Sequence, residues 1–201
     1  MIRKAVIFTI TIVLVILLCP QVKANQHSVS KVKESIVKHS LELGIDPALA
    51  LSIARTESGF RHEARSSHGA VGVFQLMPST ARRLGVNPYY LSGNIKGGLM
   101  YYKKMYTMFG STELALAAYN AGPGVVKRYN GVPPIRETKR FVSKIMTEYD
   151  HQKTCPDPAI VKMQVKKTTV VQASPKPVMV EKTTPAVDIL TPSQLPAEGI
   201  I

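Results

Sequence analysis

Among the 201 residues of this chain, the chemistry gathers around one carboxylate, Glu57. Leu49, Ile53 and Glu57 recur every four residues, with Ala50 and Ala54 beside them, so a helix through this stretch puts the acid on its apolar stripe. A carboxylate there is costly unless it is paired or used. Near a helix C-terminus the negative end of the backbone dipole adds to desolvation, and both favour the protonated acid. Arg55, Arg61 and Arg65 supply the opposite reading, because an ion pair with any of them would hold the proton off. Beyond Glu57, glycines at 59, 69 and 72 break the helical period. Residues 70–76 alternate enough to predict short extended pieces rather than a helix. A loop of this length inside a compact domain is commonly functional, and it returns Gln75 and Met77 towards the acid. Further on, Tyr119 and Asn120 precede Gly122-Pro123-Gly124, a sharp helix end from which a hydroxyl and an amide can point into a cleft.

The elements that hold these groups follow from period and punctuation. Val29, Val32, Ile36 and Leu43 line one face of a first helix that stops at Gly44. Asp46-Pro47 is an N-cap followed by a proline at the first helical position, so the helix bearing Glu57 runs from 47 to 58. Pro78-Ser79 restarts a helix through Leu84. Asn94 is expected to cap a long helix through Phe109, with Ile95, Leu99, Tyr102, either Met105 or Tyr106, and Phe109 at helical spacing. Gly97-Gly98 inside it predicts close packing against a neighbour. Ser111 caps the helix that carries Tyr119, and a last helix places Phe141, Ile145 and Tyr149 on one side with Glu137 in its first turn. The fold class is therefore mainly α, a compact helical domain with a short irregular β/loop segment beside a cleft.

The two ends differ from this middle. Residues 1–24 read as a cleavable export signal: Arg3 and Lys4, an uncharged run from Ala5 to Leu18, and short side chains up to Ala24. That run is shorter than the ~20 residues of a bilayer-spanning helix, and retention as a membrane anchor is the alternative. The catalytic domain is expected over 25–151. From 152 to 201, Pro, Thr, Val and Lys interleave without a period, which predicts an extended, disordered tail.

The formal charge of +13 favours a polyanionic partner, but the basic residues are scattered and no nucleic-acid module is present. The signal would take Arg3, Lys4 and Lys23 with it, and the mature chain would stay strongly basic. His and Cys lack metal-ligand spacing, so neither metal nor cofactor is expected. Cys19 lies in the signal and leaves Cys155 without an expected partner.

Four motifs in order resemble the soluble-type lytic transglycosylases, the SLT domain with a goose-type lysozyme-like fold. They are Glu57-Ser58-Gly59-Phe60, Gly69 to Pro78 (GAVGVFQLMP), Ala118 to Gly124 (AYNAGPG), and Glu137-Thr138 ahead of Phe141-Val142. The resemblance spans roughly residues 30–150 and implies an α+β lysozyme-like fold. It makes Glu57 the general acid and later base, and Ser58 the residue that orients it or touches substrate. Gln75, Met77, Tyr119, Asn120 and Glu137 would line a saccharide cleft. It implies a monomer acting on peptidoglycan glycan strands, cutting the β-1,4 bond from N-acetylmuramic acid to N-acetylglucosamine and leaving a 1,6-anhydro end. A lysozyme-like hydrolase or a non-catalytic wall-binding scaffold are the alternatives. Phe74 stands where a Met is usual and Phe141 where a Tyr is usual. A stand-alone domain with leader and tail also resembles the specialised enzymes that open the wall for conjugation or secretion machines, in the periplasm.

Overall fold

The computed structural model describes residues 29–172, with side chains through 166. The expected signal at 1–24 and the tail from 173 onward lie outside the described residues. Among the described residues eight helices follow one another: α1 (29–42), α2 (Pro47–Ser58), α3 (Pro78–Arg83), α4 (Leu91–Phe109), α5 (Thr112–Ala121), α6 (Pro123–Tyr129), α7 (Arg136–Thr154) and α8 (Pro158–Gln172). Among the described residues there is no named strand. The extended pieces expected near 70–76 are two isolated antiparallel bridges, Arg65 with Val71 and Val71 with Leu76.

Helix α5 sits in the middle, packed against α4, α6 and α7, while α2 packs along α7. The run Ala115 to Ala118 is wholly buried, and its small side chains let three helices approach α5 at once. Ile36, Leu51, Ile53, Phe74, Ile95, Leu99 and Ile145 complete a single core. Helix α2 has the ends its sequence dictates. Asp46 Oδ1 accepts the Ala48 N–H at 2.8 Å, and Gly59 adopts φ 61° to close the C-terminus just after Glu57.

The sequence expectation that Asn94 caps α4 is corrected, because α4 begins at Leu91. Asn94 is wholly buried instead: Oδ1 accepts the Phe74 N–H at 2.9 Å, and Nδ2 donates to Val71 O (2.8 Å) and Pro88 O (3.1 Å). These bonds satisfy the Phe74 N–H and the Pro88 carbonyl, which would otherwise be orphaned, and add a second donor to the Val71 carbonyl beside the Leu76 N–H, a larger gain than a surface cap. The close packing expected at Gly97-Gly98 is present. A Cβ on Gly98 would fall 2.3 Å from Phe74 Cβ, and one on Gly97 2.6 Å from Leu76 Cδ2.

The extended reading of residues 152–172 is corrected. Helix α7 runs on to Thr154, and α8 starts where Asp157 Oδ1 accepts the Ala159 N–H, as Asp46 does for α2. Ala159 and Ile160 join the core. Lys33 pairs with the buried Asp157 at 2.7 Å, and Lys162 with Glu34 at 2.7 Å, tying α8 to α1. Apolar burial and these pairs order a segment whose composition alone looks unstructured. Helix α6, in the Gly/Pro-rich stretch after α5, is a second element absent from the sequence reading.

Candidate active site

Glu57 occupies the last turn of α2, partly buried. No hydrogen bond or ion pair holds its carboxyl among the described residues. The three nearby arginines are committed elsewhere: Arg55 pairs with Glu148 at 3.1 Å, Arg61 Nε donates to Ser58 O, and Arg65 donates to His62 O and Ala64 O. The pKa of Glu57 is accordingly pushed up to about 8, chiefly by burial and further by the charge of Glu137. None of the three arginines makes the ion pair that the opposite reading requires.

The charge of Glu57 acts on Tyr119, which with Gln75, Met77, Thr80, Tyr101 and Asn120 walls a pocket of about 250 Å³; Glu57 itself is not in that wall. Four of the residues expected in a cleft are therefore brought together. Gln75 sits at φ 44°, a left-handed conformation that non-glycine residues seldom adopt. Its Nε2 donates to Gly72 O at 2.8 Å, leaving the amide oxygen for the pocket. Met77 is exposed at the rim. The buried Tyr119 hydroxyl donates to Phe74 O at 2.8 Å. Burial raises its pKa well above the usual value, with the Glu57 charge adding to the effect. Asn120 Oδ1 accepts from Thr138 Oγ1 at 2.8 Å, which turns the amide nitrogen free. Glu137 is exposed in the first turn of α7, outside this wall but close enough to act on Glu57.

Ser58 lies elsewhere. It is buried, and its hydroxyl donates to Val73 O at 2.8 Å, so it fastens the loop to the end of α2 and thereby positions Glu57. Phe141 stacks on Tyr119 with centroids 6.4 Å apart; there it serves packing. Tyr101 and Thr80 are pocket residues that sequence reasoning missed. Tyr101 lies one position before Tyr102, about 100° round the helix and at the edge of the core, and only its partner Tyr119, 5.1 Å away between centroids, reveals its role. A larger apolar groove, about 780 Å³, runs along α1, α7 and α8; its carboxylate, Asp46, is occupied by Ala48 N and Tyr149 Oη, and Glu57 is not in its wall. Among the described residues no cluster of His, Cys, Asp and Glu could hold a metal ion.

A helical, lysozyme-like domain with one unpaired, partly buried acid beside a polar pocket defines the class of protein. The chain belongs to the transglycosylase SLT domain family, whose model matches residues 34–142. It is 38% identical over 90 residues to a transglycosylase of Enterobacteria phage PRD1, which covers 44% of this chain and 34% of that protein. It is 32% identical over 131 residues to the soluble lytic murein transglycosylase of Salmonella typhimurium, 53% of this chain and 20% of that one. The chain thus spans about a third or less of the curated relatives. Among solved structures, an inactive Glu-to-Gln variant of the lytic transglycosylase Slt from Pseudomonas aeruginosa superposes with TM-score 0.54 at 28% identity. That match covers 62% of this chain and 25% of that one. The 70-kDa soluble lytic transglycosylase in complex with bulgecin A, at 24% identity and TM-score 0.56, shares the fold.

Proposed function

We propose that this protein is a peptidoglycan lytic transglycosylase that works with Glu57 as its one acid and base. The observation that carries the reading is the unpaired carboxyl whose pKa of about 8 keeps it protonated at neutral pH. Protonated Glu57 gives its proton to the glycosidic oxygen as the bond to C1 of N-acetylmuramic acid breaks. The neighbouring acetamido oxygen supports the cationic carbon, a recognised route where a second carboxylate is not used. The Glu57 carboxylate then takes the proton of the sugar's 6-hydroxyl, whose oxygen closes on C1. The products are a 1,6-anhydro end and a free 4-hydroxyl; no water is consumed and Glu57 is again protonated. Gln75, Tyr101 and Asn120 would hold the sugars, with Met77 at the rim. Digestion of purified peptidoglycan followed by mass analysis tests this: anhydro ends are expected, and Glu57→Gln should release none.

A second reading rests on Glu137. Its carboxylate is near enough to raise the pKa of Glu57, and two carboxylates across a bond are the arrangement for hydrolysis by an activated water. Fragments heavier by one water, with ordinary reducing ends, would establish hydrolysis instead.

The same reading extends to placement. The signal at 1–24 delivers the domain to the periplasm, and local opening of the wall for a secretion or conjugation complex is the cellular task we assign to it. N-terminal sequencing of the exported protein, with Asn25 expected first, tests the former. Pull-downs with and without residues 173–201 test the latter, equal recovery of partners marking the segment as a spacer.

A further inference from the structure

The groove of about 780 Å³ along α1, α7 and α8 takes no part in the reaction proposed for Glu57, since it shares no residue with the pocket wall. Its floor is apolar, from Val37, Leu41, Pro156, Ile160 and Met163. Leu41 is 51% exposed, and apolar surface of this kind with a polar rim marks a place where something docks. Gln152 in the same wall is 3% exposed. Its Nε2 donates to Glu148 Oε1 at 3.1 Å, and its Oε1 has no hydrogen-bond partner among the described residues. A buried acceptor without a donor is costly, and a main-chain N–H laid along the groove is a donor that can meet it. At the rim Lys153 is paired with Asp150. Lys166 acts on Glu34 only through its charge, because Glu34 is bonded to Lys162.

An occupant of this groove must therefore be apolar, offer main-chain N–H groups and carry an acid. Residues 185–190 (PAVDIL) have all three. In an extended chain positions 187 and 189 face one side and 188 the other, so Val187 and Ile189 can enter the floor while the carboxylate of Asp188 meets Lys166. From 183 to 201 the acids are Asp188 and Glu198, and there is no Lys or Arg. The reach is sufficient. Helix α8 ends at Gln172 and is ~22 Å long at 1.5 Å per residue, while the chain from 173 to 184 extends up to ~40 Å. It can double back past Lys166 and Met163 into the groove. Other occupants have the wrong charge for a basic rim. Residues 1–28 hold Arg3, Lys4 and Lys23 and no acid, and a second copy would bring a chain of formal charge +13.

We infer that the groove between α1, α7 and α8 is the docking site of the chain's own residues 185–190, with Val187 and Ile189 on its apolar floor and Asp188 at Lys166. The C-terminal stretch is then held against the domain on a surface separate from the pocket, and a ligand in the pocket does not compete with it.

Hydrogen exchange and methyl NMR on the full-length protein test this without reference to turnover. Amides of residues 186–190 are expected to exchange at least about tenfold more slowly than in a free peptide of the same sequence. Val187→Ser together with Ile189→Ser should remove that protection and shift the Met163 methyl resonance. Leu41→Lys, at a half-exposed position, should remove the protection from the groove side, and Asp188→Asn or raised salt should weaken it. Exchange at the free-peptide rate in the parent, or protection that survives Leu41→Lys, overturns the inference. So does protection that vanishes on dilution alongside a dimer in sedimentation, which assigns the groove to a second copy. A Met163 methyl that does not respond to the replacements at 187 and 189 also overturns it and leaves the groove to a separate protein.

Discussion

Replacing Glu57 with Gln should abolish cleavage and stabilise the fold, and the stabilisation should depend on pH in a definite direction. In the native protein the carboxyl has a pKa of about 8, against 4.5 for the ordinary group. Folding at neutral pH therefore takes up a proton. A group whose pKa is raised on folding contributes its full stability below the unfolded value and loses it as pH rises towards the folded one. The native state carries no penalty from Glu57 below pH 4.5, a growing one from 4.5 to 8, and a constant one above. At neutral pH the difference is about 2.5 pKa units, or roughly 3 kcal/mol. The amide of the Glu57→Gln variant does not ionise, so it carries no such penalty at any pH. Urea unfolding of parent and Glu57→Gln protein across pH 4 to 9 should show stabilities that converge in acid and separate by about 3 kcal/mol near neutrality. A difference that stays flat with pH, or an alkaline limb of kcat/KM well below pH 7 in the parent, would refute the protonated acid.

Glu137→Gln removes the second cause of that raised pKa, so the alkaline limb of activity should move to lower pH, as a pH–rate profile would record. Tyr119→Phe deletes the bond to Phe74 O and should cost about 1–2 kcal/mol in thermal or urea unfolding, because a buried carbonyl loses its donor. Gly98→Ala would set a methyl 2.3 Å from Phe74 Cβ; a loss of at least ~2 kcal/mol is expected in the same measurement. Asn94→Ala strands the Phe74 N–H and the Pro88 carbonyl and removes one of the two donors to the Val71 carbonyl, and should destabilise by about 2–4 kcal/mol with faster amide exchange in the loop.

Local chemistry was legible where a side chain answers to its own backbone. Asp46-Pro47 and Gly59 mark α2 to the residue, and Ser111 caps α5 as expected. What could not be read is what depends on a partner far along the chain. An Asn ahead of an apolar run looks like a cap until Phe74, twenty residues earlier, claims it. The commitment of Arg55 to Glu148, which leaves Glu57 unpaired, joins residues that share no motif. Tyr101 could not be told from its core neighbour Tyr102 by period alone. Helix α8 was missed for another reason: its signal was present, since Asp157-Pro158-Ala159 repeats Asp46-Pro47-Ala48, but the proline content around it outweighed one cap.

The loop over the pocket is fastened almost wholly by its main chain. The Val73 carbonyl is held by Ser58, the Phe74 carbonyl by Tyr119, and the Phe74 amide and Val71 carbonyl by Asn94. A main-chain bond is indifferent to which side chain its residue carries. These bonds do not themselves require Phe at position 74, which stands where the family resemblance expects Met, although packing still limits what the buried side chain can be. The course of the loop should therefore survive exchange of Phe74 for Met and give way when Ser58, Asn94 or Tyr119 is replaced, because each of those three holds main-chain groups of the loop from outside it.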